Sequence, residues 1–195
     1  NEKTVEKLSI NSSEKTVKIT NDIVNNYENS LSEFRVLGKF PVSGNTITDG
    51  QEKLQNTIAT ILASGIETSG YDKNALQIYY TENDNPTNDL NNTTNGWTTN
   101  PINMDAIKSY MIVVNGEFKP GTHLNFTYNI KVPANLEFSQ SAYTRYTTYY
   151  NNLSELGSVA ETKEGAIIGA TTGAGPSLSV KLDANREANS ELQAG

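Results

Sequence analysis

The residues best suited to chemistry lie in one loop, where Glu82, Asn83, Asp84, Asn85, Pro86, Thr87, Asn88 and Asp89 run consecutively. Hard cations such as calcium take roughly six to eight oxygen ligands, and carboxylates mixed with amide carbonyls supply them. Glu82, Asp84, Asn88 and Asp89 are therefore the candidate metal ligands, with calcium the candidate ion and no other cofactor indicated. The spacing resembles an EF-hand but lacks its glycine and its terminal glutamate. The competing reading is a solvated loop whose asparagine side chains cap their own backbone. A second constellation is aromatic. Trp97, the single tryptophan, with Tyr143, Tyr146 and Tyr149, and with Tyr79, Tyr80 and Tyr150 nearby in the pattern, could stack against the apolar face of a sugar. The competing reading has Tyr80 and Trp97 packing under the long loop and the strand tyrosines forming cross-strand pairs.

Other chemistries are excluded by what the chain lacks. It has no cysteine, which removes disulfides, thiol nucleophiles and thiolate metal sites. His123 is the only histidine, so a two-histidine metal site within the chain is impossible, and it is expected at the solvent-facing start of a strand. Gly165, Gly169, Gly173 and Gly175 do not form a phosphate-binding loop, because no lysine follows in the required place. Nothing positions two carboxylates on a shared cleft for glycoside cleavage. The net charge of −7 and a pI near 4.8 repel phosphate backbones, so nucleic acid is not an expected partner. No apolar run approaches the roughly 18 residues needed to span a bilayer, so direct membrane insertion is not expected.

The elements that must carry these residues are strands. Leu124, Phe126, Tyr128, Ile130 and Val132 alternate with Asn125, Thr127, Asn129 and Lys131 between Gly121 and Pro133. A period of two with one greasy face marks a strand of an antiparallel sheet covered on one side. Val17 and Ile19, the segment Glu33–Phe40, Ala75–Thr81, Ser141–Tyr150 and Leu178–Leu182 read the same way. Leu8 and Ile10 precede an expected turn at Asn11–Glu14. Tyr110–Val114 is continuously apolar, as a strand buried on both faces would be. Ser141–Tyr150 places Tyr143, Arg145, Thr147 and Tyr149 on one face and Thr144, Tyr146, Thr148 and Tyr150 on the other. Gly50–Gly65 is the one helical candidate: Leu54, Ile58, Ile61 and Leu62 have helical spacing and Gly65 stands at the C′ place, against a set of β-branched residues that disfavour it. A single helical turn is expected near Asn103–Ile107, and a Gly/Thr-rich turn before Pro176. The expectation is an all-β, antiparallel β-sandwich of Ig-like or adhesin-like type with at most one short helix. Residues 1–182 are expected to form a single module, and 183–195 a linker or the start of a following module.

Six phrases occur in an order that resembles the repeat modules of Gram-positive cell-wall-anchored adhesins, whether DUF11-like or isopeptide-forming. They are VKITN (17–21), VLGKFPVSGN (36–45), IYYTENDNPTNDL (78–90) with NGW (95–97), KPGTHLNFTYNIKVP (119–133), YTRYTTYYN (143–151) and TTGAGP (171–176). The resemblance implies an extracellular location on the cell wall, a non-enzymatic stalk or host-ligand-binding role, and neighbouring modules of the same chain, a host protein or a glycan as partners. It also implies a candidate intramolecular Lys–Asn isopeptide bond, with Lys18 or Lys131 as amine, a strand-borne asparagine, and Glu137 as the acid that burial keeps protonated. Alternation places both lysines on the polar face, where a snorkelling surface lysine is the competing reading. The alternative function is a carbohydrate-binding module using Trp97 and the strand tyrosines.

Overall fold

The computed structural model of the chain describes residues 2–5, 15–41, 44, 46–49, 52–57, 60–132, 141–150, 159–161, 165–173 and 175–183. They contain fourteen strands: β1 Glu2–Val5, β2 Lys15–Val24, β3 Arg35–Lys39, β4 Thr46–Asp49, β5 Glu52–Gln55, β6 Ile61–Leu62, β7 Glu67–Ser69, β8 Leu76–Thr81, β9 Ser109–Val114, β10 His123–Val132, β11 Ser141–Tyr149, β12 Val159–Glu161, β13 Gly165–Gly173 and β14 Gly175–Asp183. Among them, helix occurs only as three single 3-10 turns, at Lys73–Ala75, Thr93–Asn95 and Met104–Ala106. No helix of the described residues is long and apolar enough to cross a membrane.

One sheet runs β1-β2-β10-β6, with β7 also paired to β10; a larger one runs β14-β13-β11-β3-β9-β8, with β12 paired to β11; β4 and β5 make a separate two-stranded sheet. All strand pairings are antiparallel. The architecture is the expected all-β sandwich, and β10 shows why. Leu124, Phe126, Tyr128 and Ile130 are buried, while Asn125, Thr127, Asn129 and Lys131 remain half-exposed. The β2 register sets Ile23, Asn21 and Ile19 opposite Leu124, Phe126 and Tyr128, so both strands turn the same face inward.

The facing side comes from the larger sheet. Phe34, Val36, Phe40, Tyr110, Ile112, Val114 and Tyr146 join the β2 and β10 residues in one core. It is aromatic: Phe40 meets Tyr128 edge-on at 5.1 Å, and Tyr110 meets Phe126 edge-on at 5.7 Å. Such pairs each add about 0.5–1.5 kcal/mol beyond their area burial. Gly38 makes room for this packing. It lies between Tyr110 and Tyr146 in the β9 and β11 registers, and a Cβ there would fall 2.1 Å from the Tyr110 ring.

The structure departs from expectation at three places. Gly50–Gly65 is not helical where described: β4 and β5 form a hairpin and Ile61–Leu62 pairs with β10, so β-branched preference prevails over the helical spacing. The Gly/Thr-rich phrase is ladder, with β13 and β14 paired from Gly165↔Asp183 to Gly173↔Gly175. A strand at Glu2–Val5 was not anticipated, whereas Leu8, Ile10 and the turn at Asn11–Glu14 lie outside the described residues.

Candidate functional site

The chain between β8 and β9 folds back over the outer face of the larger sheet. Strand β9 is consequently buried on both sides: Tyr110, Ile112 and Val114 enter the main core, while Met111 and Val113 join Leu37 in a second cluster outside it. Tyr79, Leu90, Trp97 and Tyr149 pack on that second cluster.

Asn95 organises the loop. Its side chain is 3% exposed. Its Oδ1 accepts from the Thr87 N–H at 3.0 Å, and its Nδ2 donates to Thr87 Oγ1 and to the Asp89 carbonyl, both at 2.8 Å. Both its amide hydrogens and its amide oxygen are engaged, as a buried amide requires. Gly96 follows in the left-handed region at φ +69°, turning the chain so that Trp97 meets the sheet and donates its indole N–H to the Thr87 carbonyl at 2.9 Å. Shorter turns fill the rest: Asn83, Asp89 and Asn92 each accept on Oδ1 from the N–H two residues on. Arg35 donates to the Asn88 carbonyl, and Lys39 Nζ to Asn85 Oδ1 at 2.7 Å, tying the loop to β3. Burial lowers the Lys39 pKa from its usual value, and the nearby Asp84 carboxylate opposes that shift.

Beside this loop opens a cleft of about 560 Å³. Asn83, Asn95, Asn100, Asn103, Thr98 and Ile102 contribute to its walls, and Glu82 is its one charged lining residue. The Ile102 side chain is fully exposed. Gly96 and Thr98 line the cleft on either side of Trp97, so the cleft and the aromatic face share one stretch of chain.

The structure separates the aromatic candidates. Trp97 and Tyr149 share the outer cluster with Tyr79, whereas Tyr146 is 1% exposed in the core, facing away from any surface platform. Tyr143 lies farther along β11, opposite Ile167 of β13. Tyr80 is also inside, its hydroxyl accepting from the Ile66 N–H at 2.8 Å. The metal candidates are consecutive in sequence but do not converge. Glu82, Asp84 and Asp89 are exposed, an Asp89 oxygen caps Asn91, and the Asn88 carbonyl accepts from Arg35. Among the described residues, no three His, Cys, Asp or Glu side chains are grouped to hold a metal ion. Lys18 is exposed and stands opposite Asn129, and Lys131 stands opposite Thr16, both on the outer face of the smaller sheet. Glu137 lies outside the described residues. His123 is half-exposed, with Nδ1 3.0 Å from Asp22 Oδ2.

Sequence reasoning missed Asn95 and Asn25. Asn25, 2% exposed, donates to the Asn29 and Phe118 carbonyls and accepts from the Tyr27 N–H. Neither asparagine is distinguishable in sequence from its many neighbours of the same type. The only local signal was the Asn-Gly step at Asn95-Gly96.

No protein-family profile matches the chain, and no curated protein sequence matches it.

Proposed function

We propose that the chain is a non-enzymatic module of a Gram-positive cell-surface adhesin, acting as a stalk or as part of the host-ligand-binding region. The observation that supports this most is the two-layer packing. The space between the sheets is filled by Phe and Tyr rings, and the outer face of the larger sheet is covered by its own loop. A filled antiparallel sandwich is a rigid spacer that can be strung in series. The acidic balance keeps such a module soluble and resists unwanted self-association. Partners are neighbouring modules of the same chain and a host protein or glycan.

The test is binding against turnover. The full chain on beads is offered host matrix proteins and glycans, and the soluble chain is offered glycoside, ester and peptide substrates. Binding without turnover supports the reading. Turnover abolished by Glu82→Gln would place an active centre in the cleft and contradict it.

A second reading, a carbohydrate-binding module, is favoured by one observation: Tyr79, Trp97 and Tyr149 pack on one outer cluster. Aromatic faces presented together can stack on pyranose rings. Saturable change in Trp97 emission on adding sugars supports it; unchanged emission across a broad panel removes it.

A further inference from the structure

The chain has no cysteine, so any covalent staple must use other chemistry. Tyrosine rings meet each other in the pair Tyr110 with Tyr128 and in the pair Tyr27 with Tyr150. The first pair is sealed in the core, at 0% and 1% exposure. In the second, Tyr27 is 56% exposed. Its ring centroid lies 6.0 Å from that of Tyr150 at an interplanar angle of 47°, and the two hydroxyl oxygens are 3.3 Å apart.

Both rings are held by their surroundings. Tyr27 follows the end of β2, where the buried Asn25 accepts its N–H at 2.9 Å and is itself anchored to the Phe118 carbonyl at 2.8 Å. Tyr150 follows the end of β11 and packs on the main core. We propose that Tyr27 and Tyr150 form an oxidative cross-linking site that yields an intramolecular dityrosine bond joining the two sheets. The inference is independent of the adhesin reading, because it rests on the geometry of this pair alone.

The chemistry balances with a peroxide-driven one-electron oxidant, such as a haem peroxidase with hydrogen peroxide. Each phenol gives up one electron and its O–H proton. The two phenoxyl radicals join through ring carbons ortho to oxygen, forming one C–C bond. The hydrogens on those two carbons then move to the oxygens and restore both phenols. The protein loses two hydrogens in all, and the peroxide takes up two electrons and two protons to become two waters. Contact keeps the radicals together, and exposure admits the oxidant; the Tyr110–Tyr128 pair has the contact without the exposure. The new bond would close a loop between residues 123 apart in sequence, and long closed loops restrict the unfolded chain most.

The test treats the dilute full-length chain with peroxidase and hydrogen peroxide. The expected product is a monomer lighter by two hydrogens, with dityrosine fluorescence and a mapped link between the Tyr27 and Tyr150 peptides. Tyr27→Phe and Tyr150→Phe each abolish that link, Tyr79→Phe does not, and the cross-linked monomer melts at higher temperature than the untreated chain. Links found only between chains, links scattered over other tyrosines, or an intramolecular link persisting in Tyr27→Phe would overturn the proposal. Exposed-pair substitutions are not expected to unfold the chain, and a circular-dichroism spectrum matching the parent confirms this for each variant before oxidation.

Discussion

Tyr110 is the residue on which the interior turns. Its ring lies against Gly38, and its hydroxyl, fully buried, has no hydrogen-bond partner among the described residues. Two substitutions separate these roles. Gly38→Ala forces a methyl into the ring and is expected to cost about 3 kcal/mol, read from a urea unfolding curve. Tyr110→Phe removes an unsatisfied polar atom and keeps the ring, so stability should hold or rise by up to about 1 kcal/mol. A loss above that in Tyr110→Phe would show that the hydroxyl has a partner. Burial also raises the pKa values of Tyr110 and Tyr128 above the ordinary 10.0. A raised folded pKa favours the neutral phenol in the native state. Stability from this source is therefore complete below about pH 10 and falls as pH rises beyond it, by about 1.4 kcal/mol per pH unit per buried tyrosine. Spectroscopic titration should show phenols that ionise only as the chain unfolds. Ordinary ionisation of every tyrosine with the fold intact would contradict that burial.

At the scale of elements, strands were legible and the loop was not. The alternation in β10 and the continuous apolar run in β9 state directly which faces are covered, because successive side chains on a regular strand point to opposite faces. The ladder over Gly165–Asp183 and the missing helix at Gly50–Gly65 were harder. Glycine and threonine serve turns and strands alike, and an i, i+4 coincidence over one window does not outweigh β-branched residues. The loop between β8 and β9 was legible only as asparagine-rich. Its architecture depends on which amide is buried, and composition does not say which. Asn95→Ala leaves the Thr87 and Asp89 groups without their partner and is expected to cost about 2–3 kcal/mol and to shift Trp97 emission to longer wavelength. Unchanged emission and stability would mean that the loop is held elsewhere. Because the Asp89 side chain and the Asn88 carbonyl are already engaged, calcium and chelator should leave the melting temperature unchanged, and a rise with calcium would restore the ion site.

At the scale of the whole molecule, the sandwich follows from strands such as β10 that bury one face and leave the other wet, with β9 covered on both. That explains the fold without specifying a ligand. Trp97 and Tyr149 came together because a loop and a strand from different parts of the chain share one outer face, a juxtaposition that exists only after folding. Tyr146, one residue class with Tyr149 in the sequence pattern, went inside because it falls on the opposite parity of β11. The proposed adhesin role requires that the chain be presented outside the cell that makes it. The most direct measurement is labelling of intact, unpermeabilised cells with antibody raised against this chain, alongside fractionation of wall and cytosol. An adhesin module is expected to label intact cells and to partition with the wall. Signal that emerges only after lysis, with the protein in the cytosolic fraction, would contradict the proposed function.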